Sequence, residues 1–267
     1  MRKLLGALAS IAFVAIFAAP AANAQSAGAT IMLLHGIPAT PVDVEVNGAV
    51  AVPNFQFGQM QNLSSLSGTT LTALKVKLAG TSTVAIDAGN VALPATGNYT
   101  IVAHLDAAGA PKLSVFNNDI ATLAAGKGRL TVRHTAAAPA VDVRANGAVA
   151  FAALTNPNEA KADLAVGTIS ATVVPAGAAT PVVIGPANLA IADGTSLIVY
   201  AVGSLSGNTL QVLTQSISGL GTAPTRVDTG NSPVSDGSSS STLVLVSAVV
   251  MMGLLGGGVA TARRVRG

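Results

Sequence analysis

The sequence predicts an all-β protein: two tandem β-sandwich modules, followed by a disordered stalk and a single C-terminal transmembrane helix. Three observations carry that expectation. Short runs alternate apolar and polar residues with the period of two expected of half-buried strands. Gly, Asn and Pro punctuate these runs at short spacing, and no long stretch of the ectodomain keeps a helical period. Finally, residues 35–52 (HGIPATPVDVEVNGAVAV) recur at residues 134–151 (HTAAAPAVDVRANGAVAF). His35 and His134, Asp43 and Asp142, Asn47 and Asn146, and Gly48 and Gly147 are each 99 positions apart. A constant offset across such a block marks a duplicated unit of about 100 residues, an ordinary size for a small domain.

Taken in order, residues 1–24 read as a secretory signal. Arg2 and Lys3 supply the positive start, residues 4–19 the apolar run, and Ala22-Asn23-Ala24 the small residues at a cleavage site. The first module is expected over 25–125. An apolar run ending in His35 leads into Pro38 and Pro41, which disfavour helix and suit an extended connector. Val42, Val44 and Val46 then alternate with Asp43 and Glu45, and Asn47-Gly48 follows. Asn-Gly accepts the positive φ angles of a type I′ turn, so a hairpin is expected in which Val46 faces Ala49 and Val44 faces Ala51.

Further strands are expected at residues 74–78, 99–104 and 113–116, with a loop at 106–111 and a link to the next module at 121–128. The second module, 126–220, repeats the hairpin around Asn146-Gly147 and offers strands at 168–174, 196–202 and 210–213. Over this part an offset of 97 pairs Gly80 with Gly177, Ile101 with Ile198 and Leu113 with Leu210. The same offset sets His104 against Ala201 and makes His104 a solvated strand end.

Residues 221–240 are rich in Ser, Thr, Gly, Pro and Asp and read as a flexible stalk. Residues 241–262 read as a transmembrane helix: the 21 residues 242–262 carry no charge, long enough to cross about 30 Å of hydrocarbon. Residues 263–267 form a basic tail with Arg263, Arg264 and Arg266. An export signal, one late span and a basic end predict an exported protein, anchored with its modules outside and its C-terminus in the cytoplasm. Gly253 and Gly257 have the small-xxx-small spacing of paired helices, a cheap coincidence in so Gly-rich a run.

Composition narrows the chemistry. Of 14 Lys and Arg, five lie at the extreme ends, which leaves nine basic against 11 acidic groups in between. The net charge of +3 therefore reports targeting signals, and no basic stripe exists to neutralise phosphates, so no nucleic-acid partner is expected. There is no cysteine, which excludes disulfides, thiolate metal sites and thiol nucleophiles. With no Trp and only 3% aromatics, the cores must be Val, Leu, Ile and Ala, and stacking platforms are scarce.

The repeated block resembles a known family. His35-Gly36-Ile37-Pro38, Pro41-Val42-Asp43-Val44 and Asn47-Gly48 are similar to the opening motif of the family named domain of unknown function 4397. Phe55-Gln56-Phe57-Gly58 resembles the segment that follows in that family. The second copy keeps His134, Pro139, Val141, Asp142, Val143 and Gly147, but has Ala137 in place of Pro38 and lacks the Phe-x-Phe-Gly segment. The likeness spans roughly residues 29–220. It implies secreted or surface-attached bacterial proteins with immunoglobulin-like β-modules, and no catalytic residues to carry over.

The candidate site residues are the duplicated ones: His35, Asp43, Asn47 and Gly48, with His134, Asp142, Asn146 and Gly147. His35 with Asp43, and His134 with Asp142, could form two acid–base or metal pairs. The structural reading is favoured: each Asp sits beside a proline turn where carboxylates bind backbone donors, and no third ligand has a metal-like spacing. No catalytic residue, cofactor or metal ligand is expected, because no G-x-S-x-G elbow or phosphate-cradling Gly pattern appears. The role expected is structural or adhesive, with the membrane and a cell-envelope protein or glycan as partners. A glycan- or ligand-binding module is the alternative, with a cleft lined by Phe55, Phe57 and Tyr99; a hydrolase or metal-dependent enzyme using His35 and Asp43 is a third.

Overall fold

The structure, a computed structural model, describes residues 28–221. The signal at 1–24, all of the stalk beyond residue 221, the span at 241–262 and the basic tail at 263–267 lie outside the described residues. Among the described residues no helix is long and apolar enough to cross a membrane.

The described residues are all-β, with sheets packed as sandwiches. Eight strands come first: β1 (Thr30–His35), β2 (Val42–Val46), β3 (Ala49–Phe55), β4 (Met60–Asn62), β5 (Thr70–Leu78), β6 (Val84–Ala92), β7 (Asn98–Leu105) and β8 (Pro111–Asn117). A 3-10 turn, Ser64–Leu66, interrupts them. Eight more follow: β9 (Lys127–His134), β10 (Val141–Ala145), β11 (Ala148–Leu154), β12 (Glu159–Ala165), β13 (Gly167–Pro175), β14 (Ile184–Ile191), β15 (Ser196–Val202) and β16 (Gln211–Ile217). They form four sheets, ordered β4-β1-β7-β8, β3-β2-β5-β6, β12-β9-β15-β16 and β11-β10-β13-β14. The second pair of sheets repeats the topology of the first strand for strand. The segment joining the two halves is residues 118–126, because Lys127 and Gly128 already belong to β9.

Three apolar clusters hold the layers. Ile31, Leu33, Val42, Val44, Leu74 and Ile101 belong to the core between the first two sheets. Leu130, Val132, Val141, Val143 and Val199 do the same for the second pair. The third cluster lies between the halves: Leu34, Val102 and Phe116 from one side meet Ile198, Tyr200 and Val202 from the other. The sheets containing β1 and β9 are thus covered on both faces. That explains why β9 is buried in all but its first residue and β7 over an unbroken run of five, residues 100–104, where a sheet with one solvated face would alternate. Both central sheets also contain a parallel pair, β1 with β7 and β9 with β15.

The hairpin turns form as expected, with Asn47 at φ 52° and Gly48 at 78°, and Asn146 at 49° and Gly147 at 85°. The register beyond them differs from expectation. Val46 pairs with Ala49, but Val44 pairs with Val52, because a β-bulge absorbs Ala51. The second hairpin carries the same irregularity, with Val143 opposite Phe151.

Strand register also corrects the repeat alignment. Leu33 pairs with Ile101, and Val132, its counterpart 99 residues on, pairs with Val199. Ile101 therefore corresponds to Val199 and His104 to Val202, an offset of 98. Val102 pairs with Ser114 and Tyr200 with Leu213, so Leu113 corresponds to Val212, an offset of 99. The offset of 97 holds at β5, where Val76 and Val173 face Val44 and Val143.

Candidate functional site

Each duplicated Asp closes a bulge and a turn. Asp43 Oδ1 accepts from the backbone N–H of Asn54 at 2.7 Å, and Oδ2 from that of Gly80 at 2.9 Å. Asp142 takes the same bonds from Ala153 and Gly177, both at 2.8 Å. Asn54 and Ala153 stand at φ 48° and 51°, left-handed positions that the carboxylate holds in place. The N–H of Asn54, then that of Gly80, holds the Asp43 carboxyl below the usual range; Ala153 and then Gly177 do so for Asp142.

Each duplicated His brackets the connector that follows it. His35 Nε2 donates to the Thr40 carbonyl at 2.7 Å, while Nδ1 accepts from the Ile37 N–H at 3.3 Å. His134 does likewise with the Pro139 carbonyl at 3.0 Å and the Ala136 N–H at 3.4 Å. Both rings are fully buried and neutral, with the proton on Nε2. Burial pushes both imidazoles down, partly opposed by the accepting carbonyl. Neither His is hydrogen-bonded to its Asp: the carboxylate clamps the bulge while the imidazole bridges the preceding loop. The acid–base and metal pairings weighed from the sequence are thus not assembled, and among the described residues no group of three potential metal ligands converges.

His104 is a correction. It is fully buried, not a solvated end. Nδ1 donates to the Leu105 carbonyl and Nε2 accepts from the Ser114 hydroxyl, both at 2.8 Å. Here too burial lowers the pKa most. Being the counterpart of Val202, it faces the joint between the halves, a position that the offset of 97 concealed.

The joint itself contains the polar residues that sequence reasoning passed over. Arg133, fully buried on β9, donates from Nε to Glu159 at 2.7 Å, from Nη1 to the Tyr200 hydroxyl at 2.9 Å, and from Nη2 to Asn118 at 2.8 Å. Its guanidinium also lies 4.4 Å from the Phe116 ring centroid. Thr100 and Tyr200 both donate to Gln215 Oε1, at 3.0 and 2.6 Å. Nearby, Arg129 holds Asp163 with two nitrogens and Asp119 with a third. The available signal was Arg129 and Arg133 alternating with Leu130 and Val132, a pattern that by itself reads as a strand with one wet face.

Registers place the strand ends. Thr30 pairs with Asn98, and Asn118 bonds back to Asn98, so the first half begins and ends at one pole. Arg129 and Ile217 both pair with Ser196, and Leu123 bonds to Leu220, so the second half does the same. The opposite pole gathers the connectors after β1, β3, β5, β7, β9, β11, β13 and β15. Gly36 packs against Val202 there, and its counterpart Thr135 reaches His104, the counterpart of Val202. Asn156 spans the halves by donating to the carbonyls of Leu105 and Ala136. The exchanged pairs give the joint a pseudo-two-fold axis, as in an isologous dimer.

This pole carries the repeated His and Asp positions, while the Asn-Gly turns lie toward the other one. Its loops, 36–41, 56–59, 79–83, 106–110, 135–140, 155–158, 176–183 and 203–210, carry one ionisable group, Asp106, whose carboxylate accepts from Ala108 and Ala110. The three aromatics considered for a cleft do not meet: Phe55 is buried in the first core, Phe57 packs against the joint, and Tyr99 sits near the other pole. The arrangement can bind through backbone groups, hydroxyls and amides; where Ser114 meets His104, the ring's other nitrogen is turned to the Leu105 carbonyl and not to a carboxylate that would orient it as a base.

No curated protein matches this chain. Residues 29–144 match the model of the family described as Domain of unknown function (DUF4397), a span that runs through the first half and on to Arg129, Arg133, His134 and Asp142. The likeness read in the repeated His, Pro, Asp and Asn-Gly positions of the first copy is thus matched by that family's model over residues 29–144.

Proposed function

We propose that the chain is a non-enzymatic cell-surface protein with a structural or adhesive role. In this reading a signal is removed after Ala24, and two immunoglobulin-like modules, dividing near residue 125, stand outside the cell. A stalk, a membrane helix at 241–262 and a cytoplasmic basic end complete it. One observation carries the reading: the described chain starts and leaves at one pole, and the connectors bracketed by His35 and His134 lie at the other. A tether at the C-terminal side presents the motif pole outward. The imidazoles and the repeated carboxylates are already committed to internal hydrogen bonds, which favours presentation over chemistry.

An envelope glycan is the second candidate partner. The exposed Ser206, Gly207 and Asn208 and the small, neutral surroundings suit neutral hydroxyl-rich ligands better than charged ones. Protease added to intact cells tests the placement: a fragment with both halves should appear in the medium. Survival of the intact chain would refute it. Pull-down from envelope fractions, with the fragment and with a variant carrying charges at Ser206 and Asn208, tests the pole. Retention that the charges do not weaken would move the binding surface elsewhere.

A further inference from the structure

The two halves expose eight sheet edges, and seven carry a feature that discourages strand addition. The outer sheets are irregular at every edge: β3 and β11 each have two register shifts, and β3 also contains Pro53. β6 is bulged and carries Asp87, and β14 contains Pro186 beside a register shift. In the central sheets, β4 has only three residues, β8 opens on Pro111 and Lys112, and β12 bears Glu159, Lys161 and Asp163. β16 has none of these. Its seven residues, QVLTQSI, are uncharged, lack Pro and Gly, and pair with β15 in unbroken register, and among the described residues nothing pairs with its other edge.

We propose that β16 is where two copies of this chain join, antiparallel, into one continuous sheet. The strand is complementary to itself. Centred on Thr214, the pairing sets Thr214 against the second copy's Thr214, Val212 against its Ser216, and Leu213 against its Gln215. Thr–Thr neighbours are favourable across strands, and no like charges meet. Odd residues stay opposite odd ones, so the face of Leu213 and Ile217, which covers the joint, continues unbroken. The face of Val212, which packs on the second core, continues as well. The sheet being extended is already covered on both sides, so the added strand enters a prepared layer. A two-fold axis through Thr214 makes the contact isologous and closed, which gives a dimer rather than a fibre.

The absence of cysteine supplies the test. Full-length chain in detergent, carrying Thr214→Cys, should oxidise to a covalent dimer, while Asp87→Cys on the outer sheet should stay monomeric. Without oxidation, sedimentation of the native chain should show a dimer that Thr214→Lys abolishes, by placing two like charges on the axis, while the circular dichroism of the folded chain is unchanged and Tm loses its dependence on protein concentration. A monomer throughout, or a dimer indifferent to Thr214→Lys, overturns the proposal. So does a Thr214→Cys dimer that forms only once residues 224–267 are removed, since the chain's own C-terminal segment would then cover the edge.

Discussion

Arg133 Nη2 donates to Asn118 Oδ1 at 2.8 Å, and that bond crosses the joint between the two halves. The same guanidinium contacts Glu159 and Tyr200 on its own side and the face of Phe116 on the other. Removing it orphans buried partners and opens a void. Arg133→Ala should cost about 3 kcal/mol in denaturant unfolding. Arg133→Lys should recover little, since an ammonium cannot reproduce a fork serving three acceptors. A loss below about 1 kcal/mol would mean that the joint does not depend on this residue.

The imidazoles predict acid sensitivity. His35, His104 and His134 are buried with lowered pKa values, so the unfolded chain binds their protons more readily than the folded one. Their contribution is complete above about pH 6.5 and is lost as pH falls below it, by at most about 1.4 kcal/mol per pH unit for each ring. Lys112 and Asp106 act on His104 in opposite directions. Tm should fall between neutral pH and about pH 5. Replacing His104 with Gln should flatten the slope; an unchanged slope would show that the ring does not titrate with folding.

The carboxylates give a second, lower window. Asp43 and Asp142 have lowered pKa values, so their contribution is present above about pH 4 and lost as pH falls through the folded value. Asp142→Asn keeps one acceptor oxygen and forfeits the other. It should lower Tm at neutral pH, with the gap to the native chain closing in strong acid. A gap that stays constant down to about pH 2 would show that the charge contributes nothing.

A core of Val, Leu and Ala without large aromatics leaves space. The first core encloses a cavity of about 40 Å³ lined by apolar side chains, Ala103 among them. Its counterpart Ala201 borders a void of about 30 Å³ in the second core. Ala103→Val, β-branched on a strand, should fill part of the first and stabilise by about 1 kcal/mol, read as a higher denaturation midpoint. A lower midpoint would show that the cavity walls cannot accept two more carbons.

How far residues alone could lead is clearest at particular strands. β2, β5 and β15 alternate cleanly or carry dense β-branched runs, and they lie where expected. β12 (EAKADLA) and β14 (IGPANLAI) were passed over, because Ala with alternating charge suits a helix and Gly-Pro argues against a strand. The clamp made by Asp43 was foreseeable in kind but not in partner, since Asn54 and Gly80 approach it only through a bulge and a distant turn. Arg133 and His104 were illegible for a different reason. A polar residue alternating on a strand signals solvent, unless another sheet packs there, and no local pattern announces that second layer.

The shared pole has a mechanical consequence. Were the proposed anchoring and outer partner both in place, a pull between the far loops and the chain's exit at Gly221 would run lengthwise along β1, β7, β9, β15 and β16. Under such tension the ladder bonds are sheared together, with none peeled first. The load must also pass Arg133 before the halves can slide, so the block should resist traction far better than its few charges and small side chains suggest.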